Sequence, residues 1–165
     1  MILGFNAMEI FEVAIKIEEN GRLFYERAGE LVENTEIRKL FHDLAGQEQE
    51  HKEAFISMKA KLPDSAKKQV AWDPDNETEA YLKMMADINI FKKEATVEEK
   101  LEQVKDIKEA LKFAIDFEKE SILFYVLIKD SIEEDKGREF IDKLIEEEKG
   151  HLRILSGELK KYAEC

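Results

Sequence analysis

Two stretches one hundred residues apart, Glu48-Gln49-Glu50-His51 and Glu148-Lys149-Gly150-His151, set the same glutamate three positions ahead of the same histidine. On a helix, residues three apart share a face about one turn apart. Each pair can therefore present a carboxylate and an imidazole to a single point. The offset extends further: Glu18 answers Glu118, Phe24 answers Phe124, Tyr25 answers Tyr125, Leu44 answers Leu144, and small Gly21 answers small Ser121. A chain that repeats in this way is two copies of one unit packed face to face.

Hydrophobic periodicity says what the unit is. Phe11, Ala14, Ile15, Glu18, Tyr25, Ala28 and Val32 fall on one helical stripe, which predicts a first helix from about Ala7 to Glu33. Asn20-Gly21 inside it is a turn signal, but the stripe stays in phase across the pair, so one helix is expected. Asn34-Thr35 is a short connection, with Thr35 as the candidate cap. The second helix is expected from about Glu36 to Leu62, with Ile37, Phe41, Leu44, Glu48, His51, Phe55, Met58 and Leu62 inward, and Pro63 ends it. A third long helix from about Asp106 to Ile132 carries Leu111, Ala114, Ile115, Glu118, Ile122, Tyr125, Ile128 and Ile132. After a turn at Asp135-Lys136-Gly137, a fourth runs from about Arg138 to Tyr162, with Ile141, Leu144, Glu148, His151, Leu155 and Tyr162 inward.

Between the two hairpins lies an irregular middle, from 63 to about 105. Pro63-Asp64-Ser65 and Asp73-Pro74-Asp75-Asn76 read as turns, Thr78 to Phe91 as a short helix, and Thr96-Val97-Glu98-Glu99 as the start of another. Neighbouring antiparallel helices need only a few linking residues, whereas a connection running back down a bundle needs this many. The expected fold is all-α: a single domain over 1–165, a four-helix bundle of two hairpins joined by one long crossover with short helices.

The decisive observation is where the polar residues fall. Glu18, Glu48, Glu118, Glu148, His51 and His151 all occupy positions whose neighbours along the stripe are apolar. Burying one unpaired carboxylate costs several kcal/mol, and four at one level would repel one another and take up protons. Two divalent cations balance four carboxylates, and two neutral imidazoles complete the shell. Taken singly these residues say little. Glu-x-x-His is common in a glutamate-rich chain, Tyr25 and Tyr125 are ordinary core tyrosines, and Glu146-Glu147-Glu148 reads mostly as a solvated face. His42 lies one position off the inward stripe, has no matching histidine at Asp142 and reads as surface. Six ligand-type residues inward, all paired by one offset, are what the bland readings leave unexplained.

Composition excludes other classes. The formal net charge of -12 speaks against nucleic acid and anionic membranes and suits cation binding. No apolar run approaches a membrane span, and Met1-Ile2-Leu3-Gly4-Phe5-Asn6 has no signal-peptide character. The single cysteine, Cys165, leaves no Cys-x-x-Cys pair and fits a reducing, cytoplasmic setting.

Glu18 with Tyr25 seven residues on, Glu48-x-x-His51, Glu118 with Tyr125, and Glu148-x-x-His151 together resemble the ferritin-like, rubrerythrin-type di-iron domain, over about residues 8 to 160. The resemblance implies two iron ions, with manganese or zinc fitting the same donors. It makes Glu18 and Glu118 the terminal carboxylates, Glu48 and Glu148 the bridges, and His51 and His151 ligands of one ion each. Tyr25 and Tyr125 match tyrosines that hydrogen-bond the ligating carboxylates. Two departures stand out. Ser121 occupies the place of the family's extra glutamate, and the rubredoxin-type domain is missing, so a separate electron-donor protein such as a rubredoxin is expected.

The activity implied is reduction of hydrogen peroxide or O2 in oxidative-stress defence. Iron binding for sequestration or delivery is the alternative, and a structural bundle with a vestigial site a third. Long amphipathic helices also make a homodimer an expectation.

Overall fold

The computed structural model describes residues 7–64, 94–129 and 135–163. Five helices lie among them: α1 (Ala7–Leu31), α2 (Thr35–Ala60), α3 (Glu94–Leu101), α4 (Ile107–Lys129) and α5 (Asp135–Ala163). No strand occurs among the described residues. α1 passes unbroken through Asn20 and Gly21, as the continuous stripe requires.

Helix starts follow local hydrogen-bonding chemistry. α2 is capped by Asn34, not Thr35: the Asn34 Oδ1 accepts the backbone N–H groups of Glu36 (3.0 Å) and Ile37 (3.1 Å). An asparagine oxygen reaches those free amides from an extended backbone, which leaves Thr35 as the first helical residue. At α4, Asp106 Oδ1 accepts the Glu109 N–H at 2.8 Å, and Glu109 reaches back to the Lys105 N–H at 2.8 Å. α3 begins at Glu94, so Thr96 sits inside it. α5 begins at Asp135, so Asp135-Lys136-Gly137 is helix and not the expected turn. The expected helix Thr78 to Phe91, the turn at Asp73-Pro74-Asp75-Asn76, Ser65, Ile132, the N-terminal six residues and Cys165 lie outside the described residues.

The apolar core forms two clusters. One gathers Phe24, Tyr25, Ala28, Ile37, Phe41, Leu44, Leu111, Ala114 and Leu155. The other gathers Phe11, Ala14, Ile17, Phe55, Phe124, Tyr125, Ile128, Ile141 and Leu144. Residues one hundred apart fall in opposite clusters: Phe24 and Phe124, Ala28 and Ile128, Phe41 and Ile141, Leu44 and Leu144, and in reverse Phe11 and Leu111, Ala14 and Ala114, Phe55 and Leu155. The internal two-fold thus exchanges the two ends of the bundle.

The clusters also give the chain direction. α2 starts in the first cluster and ends in the second, and α4 likewise starts in the first and ends in the second. These two helices therefore run parallel, and the segment between them must travel back the length of the bundle. Val97 and Leu101 of α3 pack into the first cluster, where α4 begins.

Within each hairpin ion pairs join the outer faces. Glu19 takes Lys52, Lys59 Nζ lies 2.7 Å from Glu12, and Lys129 Nζ lies 2.5 Å from Asp142. Exposed pairs of this kind contribute at most about 1 kcal/mol each, so apolar burial holds the fold. Across the hairpins, Phe24 stacks on Phe117 with ring centroids 6.3 Å apart and planes within 4°. Ile15 and Ile122, expected inward, are half-buried, while Ile17, Phe24, Phe117 and Phe124, off the expected stripes, are core.

Candidate metal centre

Glu18 of α1, Glu48 and His51 of α2, Glu118 of α4, and Glu148 and His151 of α5 meet between the two apolar clusters. None is more than 6% exposed. Each expected ligand position arrives there because its helix carries core residues a turn away on both sides: Leu44 and Phe55 around Glu48 and His51, Leu144 and Leu155 around Glu148 and His151. His42 is exposed, as its register predicts.

The six side chains form two overlapping groups. Glu18, Glu48, His51 and Glu148 make one, and Glu48, Glu118, Glu148 and His151 the other. In each, one potential ligand atom from every residue lies within 4.8 Å of the rest. Glu48 and Glu148 belong to both groups. His51 Nδ1 stands 3.4 Å from Glu18 Oε2 and 3.2 Å from Glu148 Oε1. His151 Nδ1 stands 3.0 Å from Glu148 Oε2, 3.4 Å from Glu118 Oε1 and 3.7 Å from Glu48 Oε1. The imidazole centroids are 6.0 Å apart.

An outer ring of hydrogen bonds fixes these groups. The Tyr25 hydroxyl donates to Glu118, and the Tyr125 hydroxyl donates to Glu18. Each tyrosine therefore holds the carboxylate of the other hairpin. Burial, followed by the charge of the carboxylate it serves, pushes each phenol well above its ordinary pKa and keeps it a donor. Gly21 supplies room: a Cβ there would stand 2.7 Å from Glu48 Oε2. Its counterpart Ser121 turns its hydroxyl back to the Phe117 carbonyl at 3.1 Å.

Two participants escaped the sequence reading. His51 Nε2 lies 2.8 Å from Glu147 Oε2, and His151 Nε2 lies 3.0 Å from Gln47 Oε1. Glu147, taken as part of a solvated acidic run, is 59% exposed yet grips a buried ring. The signal was available, since positions 47 and 147 are also one hundred apart and immediately precede the two glutamates of the repeated motif.

The charge balance of the layer is strained towards protons. Burial pushes Glu18 up, and burial with the charges of Glu148 and Glu18 pushes Glu48 well above the usual carboxylate range. Burial and then Glu148 push Glu118 to about 8. Burial alone would lower both histidines, but close carboxylates win: Glu148 and Glu18 raise His51 to about 11, and Glu118 and Glu148 raise His151 to about 9. For Glu148 burial opposes ionisation, yet the two imidazoles and Glu118 bring it below its ordinary value. The crowded layer thus favours protons on Glu18, Glu48 and Glu118, as carboxylates gathered in a low-dielectric core do.

The donors fit divalent ions. Glu18 Oε2, Glu48 Oε1, both Glu148 oxygens and the Nδ1 atoms of both histidines are buried without a well-formed hydrogen bond among the described residues. Native cores leave few such atoms unpaired. Oxygen-rich groups with one imidazole nitrogen each suit iron, manganese or zinc.

Comparison with known proteins agrees with this geometry. A Thermotoga maritima protein described as ferritin-like and diiron-carboxylate is similar in structure, with a TM-score of 0.69 and 30% identity over 96% of this chain and 97% of that chain. No curated protein matches. No helix among the described residues is long and apolar enough to cross a membrane. The family model for rubrerythrin matches residues 9–159, a span that takes in most or all of each of the four long helices and every residue of the buried layer. By fold, by buried glutamate–histidine layer and by this match, the chain belongs to the rubrerythrin family.

Proposed function

We propose that the six buried side chains bind two iron ions and that the protein reduces hydrogen peroxide, or O2, with electrons from a separate donor protein. The observation that carries this reading is the pair of overlapping ligand groups sharing Glu48 and Glu148. One shared cage for two ions, with exchangeable positions, is what a two-electron reaction at a metal pair requires. The bound pair would supply the two electrons that, with two protons, convert one peroxide to two waters.

The rest belongs to the chain. Glu48 and Glu148 would hold both ions, Glu18 and His51 one, and Glu118 and His151 the other. Tyr25 and Tyr125 fix the terminal carboxylates Glu118 and Glu18 so that neither swings out of the layer. The two apolar clusters cover the layer on both sides and keep bulk water from it. Ser121 offers no carboxylate, and its hydroxyl is engaged by its own helix. A ligand exchange relying on a glutamate at that position is therefore not part of this chain's chemistry.

The test is anaerobic loading with Fe(II), then one equivalent of hydrogen peroxide per pair, followed by near-ultraviolet absorbance. Complete oxidation, faster than with O2, is expected. No oxidation by stoichiometric peroxide removes the enzyme reading. Iron counted after aerobic loading separates the alternative: two per chain is the enzyme's number, and many more favours sequestration.

A further inference from the structure

The two metal groups are near copies, each with one terminal glutamate, one histidine and the shared Glu48 and Glu148. The repeat breaks where the histidines are held from behind. His51 leans on a carboxylate, Glu147, at 2.8 Å, and His151 leans on an amide, Gln47, at 3.0 Å. In each ring Nδ1 faces the carboxylates and Nε2 faces away. A ring whose Nδ1 lone pair binds a metal carries its proton on Nε2. The acceptor on Nε2 then sets how strongly the ring donates.

A carboxylate acceptor draws that proton harder than a neutral amide does, because charge-assisted hydrogen bonds are stronger. The ring against Glu147 is therefore the better electron donor. It is also the better anchored, since an amide can flip and offer its NH2 instead of its oxygen. Both contacts cross between the hairpins, from α5 to α2 and from α2 to α5, so each helix orients the histidine of the other. We infer that Glu147 and Gln47 are positioning residues that make the two ion positions unequal, with the position of Glu18 and His51 filling first and more tightly. This rests on the reading that the six residues bind two ions. Glu147 is 59% exposed, and water weakens its pull. The effect on affinity therefore belongs near the lower end of the roughly 10- to 100-fold usual for partners of ligating histidines.

The experiment is titration of the full-length, metal-stripped protein with Co(II) against a competing chelator, followed by visible absorption. Co(II)-bound histidine N–H protons are read in parallel by proton NMR. The wild-type protein is expected to bind two Co(II) in resolved steps, with one shifted N–H signal appearing in the first. E147Q should weaken the first step about 10-fold and move that signal, leaving the second step in place. Q47E should tighten the second step and bring the two together, a gain that misfolding cannot produce. The double exchange Q47E/E147Q should reverse the order of filling. Two equal steps in the wild-type protein, or E147Q changing neither step or both alike, would overturn the inference while leaving the two-ion reading intact. Fewer than two Co(II) per wild-type chain would remove the two-ion reading itself.

Discussion

A methyl group at position 21 would stand 2.7 Å from Glu48 Oε2 and 2.8 Å from Phe117 Cε1, closer than carbon tolerates. Gly21→Ala must displace the shared carboxylate or the stacked Phe24–Phe117 pair. Such overpacking costs about 1–3 kcal/mol. The expected result is a lower midpoint in chemical denaturation together with metal bound at less than two ions per chain. Serine at the same position should be no better. Asn20-Gly21 was visible in the sequence as a turn signal outweighed by the stripe, and the stripe was right. What the stripe could not say is why glycine sits there, because the reason is a carboxylate on another helix. Glu18, Glu48, His51, Glu118, Glu148 and His151 were all legible, since a polar residue on an apolar stripe is conspicuous. Gln47 and Glu147 share the hundred-residue offset, but that they hold the two histidines was not legible, since it depends on how the helices rotate against one another.

Element boundaries show the same division between local and tertiary causes. Asn34 holds two free amides of α2, and Asn34→Ala should cost about 1 kcal/mol, read as a fall in thermal midpoint without loss of metal. The sequence offered Thr35 as the cap, and only the extended backbone of Asn34 and the two amides its side chain accepts move the cap one residue earlier. Past the middle of α4, burial pushes Glu120 up to about 7, with Lys100 pulling it down and Asp116 pushing it up. A carboxyl whose folded pKa exceeds its unfolded value binds more protons when folded, so its contribution to stability falls as pH rises from about 4.5 to 7. Glu120→Gln removes that slope. Relative to wild type it should gain stability at pH 8 over pH 5, by a few tenths to about 1 kcal/mol after screening by water. Denaturation series at the two pH values check this, and an equal effect at both would contradict it.

For the whole molecule, the proposed ions clamp four helices at one level. A site filled at 100 times its dissociation constant adds about 2.7 kcal/mol, and two such sites about twice that. For a chain of this size, stripping the metal with a chelator should lower the thermal midpoint by about 10 °C or more, and adding Fe(II) or Co(II) should restore it. The crossover was legible as a length, but the parallel course of α2 and α4 that demands it appears only once each end of every helix is placed in a cluster. That placement carries one more consequence. Because the clusters change places under the hundred-residue shift, neither hairpin contains a finished core. Two copies of one hairpin, paired about the same axis, would complete both. The chain has the geometry of a homodimer fused into one polypeptide, and a one-hairpin ancestor of this kind would have needed no crossover at all.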